Sequence, residues 1–348
     1  MIEYILFYSI VIFGMIISLL NLKEKIVLEK YYIFLSFSFF LLIGFRYCGY
    51  DFFSYENIFD NIKNGNDVFG VEFGFIALSN ISNTYRHLLV FMALLTVISH
   101  LAFIYKTSDN PLFSLFLLSG TLLLPTFMGQ MRQGVALGFV AISFCYYSNK
   151  NFKLALVSFI LAFLFHFSSL LSLLFLFIPK QIKGFKYYFL MVILSIFAFQ
   201  FLQPVVFKII NLFPNLVYFD KLIGYSDNDD VKLGFNTAII IRIFILSLGY
   251  HYRNLIKNVY FPHMLNIYLF SIILYLTLGP IIPQLGGRGA LYFSYFDLII
   301  IPAIISAAVG YKKTIILFAF VLLTFLRIFQ FFHDDFNRDV YVPYFMYL

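Results

Sequence analysis

The chain has 348 residues, of which 62% are apolar and only 12% are charged. Soluble proteins are usually about 45–50% apolar and about 25% charged. A soluble globule of this size cannot hide so much apolar surface, so the composition excludes a soluble domain and also a disordered chain. It predicts an all-α protein, a polytopic transmembrane helical bundle that forms a single integral membrane domain over residues 1–348.

The net charge of +7 comes from lysines in short loops between apolar runs, a pattern typical of membrane topology and not of nucleic-acid binding. Two cysteines, Cys48 and Cys145, are too few for a disulfide framework or a cysteine-based metal site. The chain has no Walker loop, no GxSxG elbow and no HExxH zinc motif. We therefore expect no metal and no cofactor.

Ten apolar runs are predicted to cross the bilayer, for which a helix needs about 20 residues. The first follows Glu3 and not a basic segment, so we predict a retained helix and not a signal peptide. Together with 154–178, these runs predict about 10–12 spans. In chain order the ten runs are 2–20, 31–45, 87–105, 111–128, 132–147, 187–207, 235–250, 264–282, 289–309 and 314–332.

Short loops that carry lysine predict the cytoplasmic side of the membrane. On this basis residues 46–86 and 208–234 are the larger periplasmic loops. A single crossing at 154–178 conflicts with this rule, because it places the lysines at 180, 183 and 186 outside. His166 and the serines after it interrupt this run, so we predict a re-entrant hairpin with His166 at its tip.

Arginine is concentrated outside or within the predicted membrane, whereas the cytoplasmic charges are mostly lysine. A guanidinium group holds phosphate in a bidentate manner, which favours an anion-binding role. Arg132 begins a helix after a tight outer turn, and Arg288 follows two glycines that would let a ligand approach the backbone. Arg46 begins the first outer loop. Two of them have a structural alternative, in which Arg46 reaches the interface and Arg132 pairs with Glu72 or Asp51.

His166 lies in a predicted membrane segment, where ionisable side chains are candidates for function. Imidazole is the natural general base near neutral pH, although a histidine hydrogen-bonded inside the bundle is the structural alternative. Glu72 in its apolar setting is either paired with an arginine or an acid–base group. The acidic run 227–230 is interpreted as a solvated loop and not as a divalent-ion site.

In chain order these residues resemble the EpsG family of Wzy-like polymerases, which make bacterial surface polysaccharides. The resemblance runs from about residue 30 to about residue 300, and 185–280 shows no matching motif. The motifs that carry it are Arg46-x-x-Gly49-x-Asp51 with Tyr55 and Phe59, Glu72-x-Gly74-Phe75, Arg132-Gln133-Gly134, His166-x-Ser168-Ser169, and Arg288 with Tyr292-Phe293.

The resemblance implies a GT-C-like fold in the bacterial inner membrane, with an active site facing the periplasm. It implies transfer of a growing chain from undecaprenyl diphosphate to the non-reducing end of a new lipid-linked repeat unit. The implied partners are membrane lipid and a chain-length regulator protein, with no nucleic acid. It also implies transfer without a nucleotide sugar or an obligatory metal. A single displacement with inversion at the anomeric carbon would need no covalent intermediate.

Roles for the candidate residues follow from this chemistry. Catalytic candidates are His166, ranked first as the base, Asp51 and Glu72, because the acceptor hydroxyl must lose a proton. The diphosphate-binding candidates are Arg132, Arg288 and Arg46, and the saccharide-binding candidates are Tyr55 and Tyr292. The alternative functions are an O-antigen ligase, a flippase or transporter of lipid-linked oligosaccharides, and a membrane O-acyltransferase.

The predicted topology can be tested by cysteine labelling in intact cells. Because the hairpin returns the chain to the cytoplasm, Lys153→Cys and Lys183→Cys are both expected to resist a membrane-impermeant maleimide. Asp67→Cys, in the predicted periplasmic loop, is the control that should react. Labelling of the position-183 cysteine from outside would contradict the hairpin.

Overall fold

The computed structural model describes residues 1–20, 25–212, 235–283 and 285–346. Within these residues the chain is helical and contains no β-strand, which confirms the all-α prediction. The helices are α1 Ile2–Leu19, α2 Lys25–Gly44, α3 Phe52–Lys63, α4 Phe73–Ile81, α5 Tyr85–Thr107, α6 Pro111–Thr121, α7 Met131–Ser148, α8 Phe152–Phe165, α9 Phe185–Leu212, α10 Thr237–Tyr252, α11 Phe261–Leu278, α12 Ala290–Ser294, α13 Asp297–Ala307, α14 Gly310–His333 and α15 Asp335–Tyr341. Two π-helical segments, Leu123–Gly129 and Leu285–Gly289, and one 3₁₀ helix, Phe167–Leu176, complete the set.

Six of these helices are long and apolar enough to cross a bilayer, and two bent helix pairs raise the number to eight. Three shorter apolar helices would have to cross as well to reach the predicted 10–12 spans. The protein is thus a polytopic helical membrane protein. The six are Ile2–Leu19, Lys25–Gly44, Tyr85–Thr107, Phe185–Val206, Phe261–Leu278 and Gly310–His333.

The described helices form two compact units. The first comprises Met1–Phe167 and Ala308–Leu348, and the second comprises Ser168–Ala307. In the first unit α7 packs against both α5 and α8. Gly138 of α7 allows close approach, because an added Cβ would lie 2.0 Å from the Ser99 Oγ of α5. Small residues serve the same purpose in many membrane helix contacts.

The second unit is built around α11, which packs against α9, α10 and α13. Its Asn266 accepts a hydrogen bond from the Tyr188 hydroxyl. The Asn266 amide donates to the carbonyls of Pro179 and Gln181, at 2.7 and 2.9 Å. The buried Asn266 amide therefore provides hydrogen-bond donors for two backbone carbonyls in the segment before α9.

The predicted interruption of 154–178 is confirmed. Helix α8 ends at Phe165, His166 has an extended backbone with φ −158° and ψ 118°, and the 3₁₀ helix follows. The re-entrant course of this segment stays a prediction. Loop 46–86 contains α3 and α4, whereas the residues at 208–212 belong to α9 and 213–234 lie outside the described residues.

Candidate active site

The position of Glu72 is set by α4. Glu72 is the N-cap residue of this helix, but its side chain forms no capping hydrogen bond. Gly74 lies against the end of α8, where an added Cβ would be 2.8 Å from the carbonyl oxygen of Leu164. This close approach requires glycine and brings the Glu72 carboxylate to the residue that follows α8.

The Glu72 carboxylate accepts hydrogen bonds from three donors. Its Oε2 forms an ion pair with Nη1 of Arg132. Its Oε1 lies 2.9 Å from Nδ1 of His166 and 3.3 Å from the backbone nitrogen of Phe167. Three segments that are distant in sequence therefore meet at one carboxylate, whose side chain is only 10% exposed. Glu72 and Asp51 were the two predicted partners of Arg132, and in the structure Arg132 pairs with Glu72.

The contacts of Glu72 determine its ionisation. Burial alone would raise the pKa of this carboxyl, but the hydrogen bond from His166 and the positive charge of Arg132 outweigh burial. The net pKa of Glu72 therefore lies below its ordinary value, and the carboxylate is ionised at neutral pH. An ionised carboxylate can only accept, so Nδ1 of His166 must be the donor in their hydrogen bond.

This hydrogen bond fixes the tautomer of His166. With the proton on Nδ1, the neutral ring keeps Nε2 as an acceptor. Among the described residues of the first unit, no side chain or backbone group donates to Nε2. The side chain is 22% exposed. His166 is thus oriented and able to take a proton at Nε2.

Arg132 is held in place by aromatic rings. Its guanidinium carbon lies 5.3 Å from the centre of the Tyr55 ring and 5.8 Å from that of Phe75. Its Nε also donates to the Tyr55 hydroxyl at 3.5 Å. Arg132 is the second residue of α7, whose N-terminus has no side-chain cap. A helix N-terminus with free N–H groups beside a guanidinium favours an anion.

Arg46 is buried inside the first unit and does not extend to the interface, with only 1% of the residue exposed. Its Nη1 donates to the carbonyl of Ile43, and its Nη2 lies 3.8 Å from the Met131 sulfur. Since Met131 is the first residue of α7, Arg46 and Arg132 both contact the N-terminal turn of this helix. Asp51 is the half-buried N-cap residue of α3, and its side chain does not cap that helix.

Two further candidates belong to the second unit. Arg288 lies in the π-helical segment that leads into α12. Gly286 in this segment lies against α11, where an added Cβ would be 2.4 Å from the Cα of Gly279. Gly286 therefore serves internal packing, and the close approach of a ligand to the backbone of this segment stays a prediction. Tyr292 is fully buried, and its hydroxyl is 3.2 Å from that of Ser168, so its role as a saccharide contact stays a prediction.

Arg242 of α10 is a further charged residue in the second unit that was not predicted as a site residue. Its guanidinium carbon lies 4.8 Å from the centre of the Tyr275 ring, and its Nη1 donates to the Ser271 carbonyl at 3.4 Å. The available signal was a lone arginine within the apolar run 235–250. The acidic run 227–230 lies outside the described residues, and the described residues contain no cluster of metal-ligating side chains.

Replacement of Glu72 tests the electrostatic role of this carboxylate. Glu72→Gln leaves the buried Arg132 without a counter-ion, and we expect a loss of about 2 kcal/mol in unfolding free energy at pH 7. The pKa of Glu72 is lowered in the folded protein, so its stabilisation is present above the ordinary value of 4.5 and is lost as the pH falls through the folded value.

The measurement is thermal unfolding of the purified protein in detergent from pH 7 down to pH 3. The difference in Tm between wild type and Glu72→Gln should shrink below pH 4.5. Glu3→Gln, at a carboxylate that is 47% exposed, is the matched control and should unfold like the wild type. An equal Tm for Glu72→Gln and the wild type at pH 7 would show that the ion pair does not stabilise the fold.

Comparison with known proteins gives one family match. A search of curated proteins and a search of solved structures both found no significant match. The model of the EpsG family matches residues 29–346 of this chain. This range includes every candidate residue described above and also 185–280, where the sequence analysis found no motif. The chain belongs to the EpsG family.

Proposed function

We propose that the protein is a membrane glycosyltransferase that polymerises a bacterial surface polysaccharide, an O-antigen or a capsule. Membership of the EpsG family supports a polymerase-like role in polysaccharide biosynthesis. The observation that carries the mechanism is the hydrogen bond between His166 and an ionised Glu72, next to Arg132. The reaction moves the chain from undecaprenyl diphosphate to the non-reducing end of a new lipid-linked repeat unit, on the periplasmic face of the inner membrane.

His166 acts as the general base in this proposal. Its Nε2 removes the proton from the acceptor hydroxyl as the hydroxyl oxygen attacks the anomeric carbon of the donor. The bond between that carbon and the diphosphate oxygen breaks, and the diphosphate leaves with the bonding electrons. Attack and departure on opposite sides of the carbon invert its configuration. No covalent enzyme intermediate or metal is required.

Glu72 has a positioning role. It holds the Nδ1 proton of His166 and stabilises the imidazolium that forms when Nε2 becomes protonated, as the carboxylate does in a catalytic triad. Because its two oxygens already accept three hydrogen bonds, Glu72 itself is a poor base. Asp51, at the start of α3, is the second candidate for the base.

The arginines stabilise the leaving group. Arg132 and Arg46 flank the N-terminus of α7, so they can hold the diphosphate whose charge develops in the transition state. Arg288 is the third candidate and belongs to the second unit. Tyr55 stacks on Arg132 and keeps its guanidinium in place, with a saccharide contact as its second proposed role. A chain-length regulator protein is a proposed partner.

A surface-polysaccharide gel tests this function. The gene is deleted in its host and restored as wild type, His166→Ala, Arg132→Ala or Arg288→Ala. We expect the wild type to restore a ladder and each variant to leave only core plus one repeat unit, because each lacks the base or a diphosphate ligand. His87→Ala, at an exposed histidine in the first turn of α5, is the control that should keep the ladder.

The pattern of bands separates the alternatives once membrane abundance of each variant is shown to equal that of the wild type. Deletion that removes every saccharide-bearing band, including the single repeat unit, would contradict a polymerase and indicate an O-antigen ligase or a flippase. An unchanged ladder after deletion would indicate the acyltransferase alternative. A full ladder from His166→Ala would exclude this histidine as the base.

A further inference from the structure

Among the described residues, no negatively charged group lies close enough to Arg46 to compensate its positive charge. The described residues include no carboxylate within ion-pair distance of this side chain, and its Nε has no hydrogen-bond partner. Within the described parts of the chain, its other two nitrogens contact one carbonyl and one thioether sulfur. A guanidinium group stays charged in proteins, and burial of an unpaired charge is strongly unfavourable. A buried guanidinium group without a counter-ion is stabilised when it binds an anion.

The contact between Arg46 and Met131 indicates where an anion would bind. The guanidinium extends to the first residue of α7, an 18-residue helix without a side-chain cap. Arg132 follows in the same turn. Two guanidinium groups beside the N-terminus of a helix that lacks a side-chain cap suit a phosphate or diphosphate group.

The C-terminal part of the chain covers this site. Met346 forms an antiparallel bridge with Arg46, and the Tyr47 N–H donates to the carbonyl of Phe345 at 2.9 Å. The Tyr344 hydroxyl donates to the carbonyl of Leu42 at 3.1 Å. Residues 344–346 thus lie beside the backbone of Arg46 and its neighbours, and α15 precedes them in the same segment.

A few side-chain contacts fix α15 itself. The Tyr341 hydroxyl donates to the carbonyl of Leu124 at 2.8 Å. Tyr50 stacks on Phe336 and donates to the side chain of Asn337. The outer surface of this segment is exposed, with Phe336 at 67% and Phe345 at 58%. Its inner side is held by these hydrogen bonds and by ring contacts of the buried Tyr341 with Tyr50 and Phe331. A short segment of this kind, packed at the edge of the bundle, can open without unfolding the rest.

We propose that residues 335–346 form a lid over an anion site at Arg46, and that the lid must open for the diphosphate group of a polyprenyl lipid to enter. The assignment of that anion to the lipid-linked donor rests on the proposed function. The lid itself rests on the burial of Arg46 and on the contacts that cover it. With the lid closed, Arg46 is 1% exposed and no anion can reach its Nε from solvent.

A disulfide that locks the lid tests this proposal. Tyr47 and Phe345 lie opposite each other next to the Arg46–Met346 bridge, and both side chains are exposed. Opposing residues of an antiparallel pair are close enough for a disulfide. The double variant Tyr47→Cys/Phe345→Cys is purified in nanodiscs, oxidised, and tested for equilibrium binding of undecaprenyl diphosphate. The native Cys48 and Cys145 are buried and are retained.

We expect the oxidised double variant to bind undecaprenyl diphosphate at least about tenfold more weakly than the same protein after reduction. The two single-cysteine variants should not respond to oxidation. Equal affinity in the locked and reduced states would overturn the lid. Because both states come from one folded sample, a folding defect cannot produce the difference.

Arg46→Gln tests the site separately from the lid. We expect it to bind the same probe about tenfold more weakly while keeping the wild-type Tm. Wild-type affinity in Arg46→Gln, or no binding by the reduced protein, would overturn the anion site. Competition by inorganic pyrophosphate would identify the diphosphate group as the part recognised, whereas competition by undecaprenyl monophosphate alone would assign the site to a single lipid phosphate and overturn the diphosphate assignment.

A last comparison separates this proposal from the proposed function. His166→Ala should bind undecaprenyl diphosphate like the wild type, since His166 is not part of the anion site. If His166→Ala also retains the polysaccharide ladder, the proposed role of His166 fails while the lid stands. If the ladder is lost but the locked protein binds normally, the lid fails while the proposed function stands.

Discussion

The candidate site depends on one ionised carboxylate held inside an apolar helical bundle. A charge in this setting is stable only when it is paired and its oxygens accept hydrogen bonds. Glu72 meets that condition with a guanidinium, an imidazole and a backbone N–H, contributed by α7 and by the residues that follow α8. Its own position comes from α4, which packs on α8 through Gly74. The packing of α4 on α8 therefore also fixes the geometry of the candidate site.

The same carboxylate explains the break in the helical run at His166. Helix α8 ends there, and the Phe167 N–H donates to Glu72. The extended backbone of His166 turns its ring to the carboxylate. Arg132, paired with the other oxygen, keeps the carboxylate ionised. The base, its orienting group and a cation for the leaving group are thereby linked through Glu72.

Much of this arrangement was predictable from sequence. Apolar composition predicted the all-α bundle, the polar interruption predicted the end of α8, and the pairing of Arg132 with Glu72 was one of two predicted alternatives. The meeting of Glu72 with His166 was not predictable, because 94 residues separate them and no local pattern encodes that contact. The burial of Arg46 was missed for a similar reason, since the backbone beside it includes Phe345 and Met346, at the far end of the chain.

The central claim, that Glu72 acts through His166, is tested most directly by a double-mutant cycle. The rate of chain elongation is measured with purified protein and lipid-linked repeat units from its host, for wild type, Glu72→Gln, His166→Gln and the double variant. If Glu72 works by orienting the base, the double variant should be no slower than His166→Gln alone. If the two losses multiply, Glu72 and His166 act independently, and the account is contradicted.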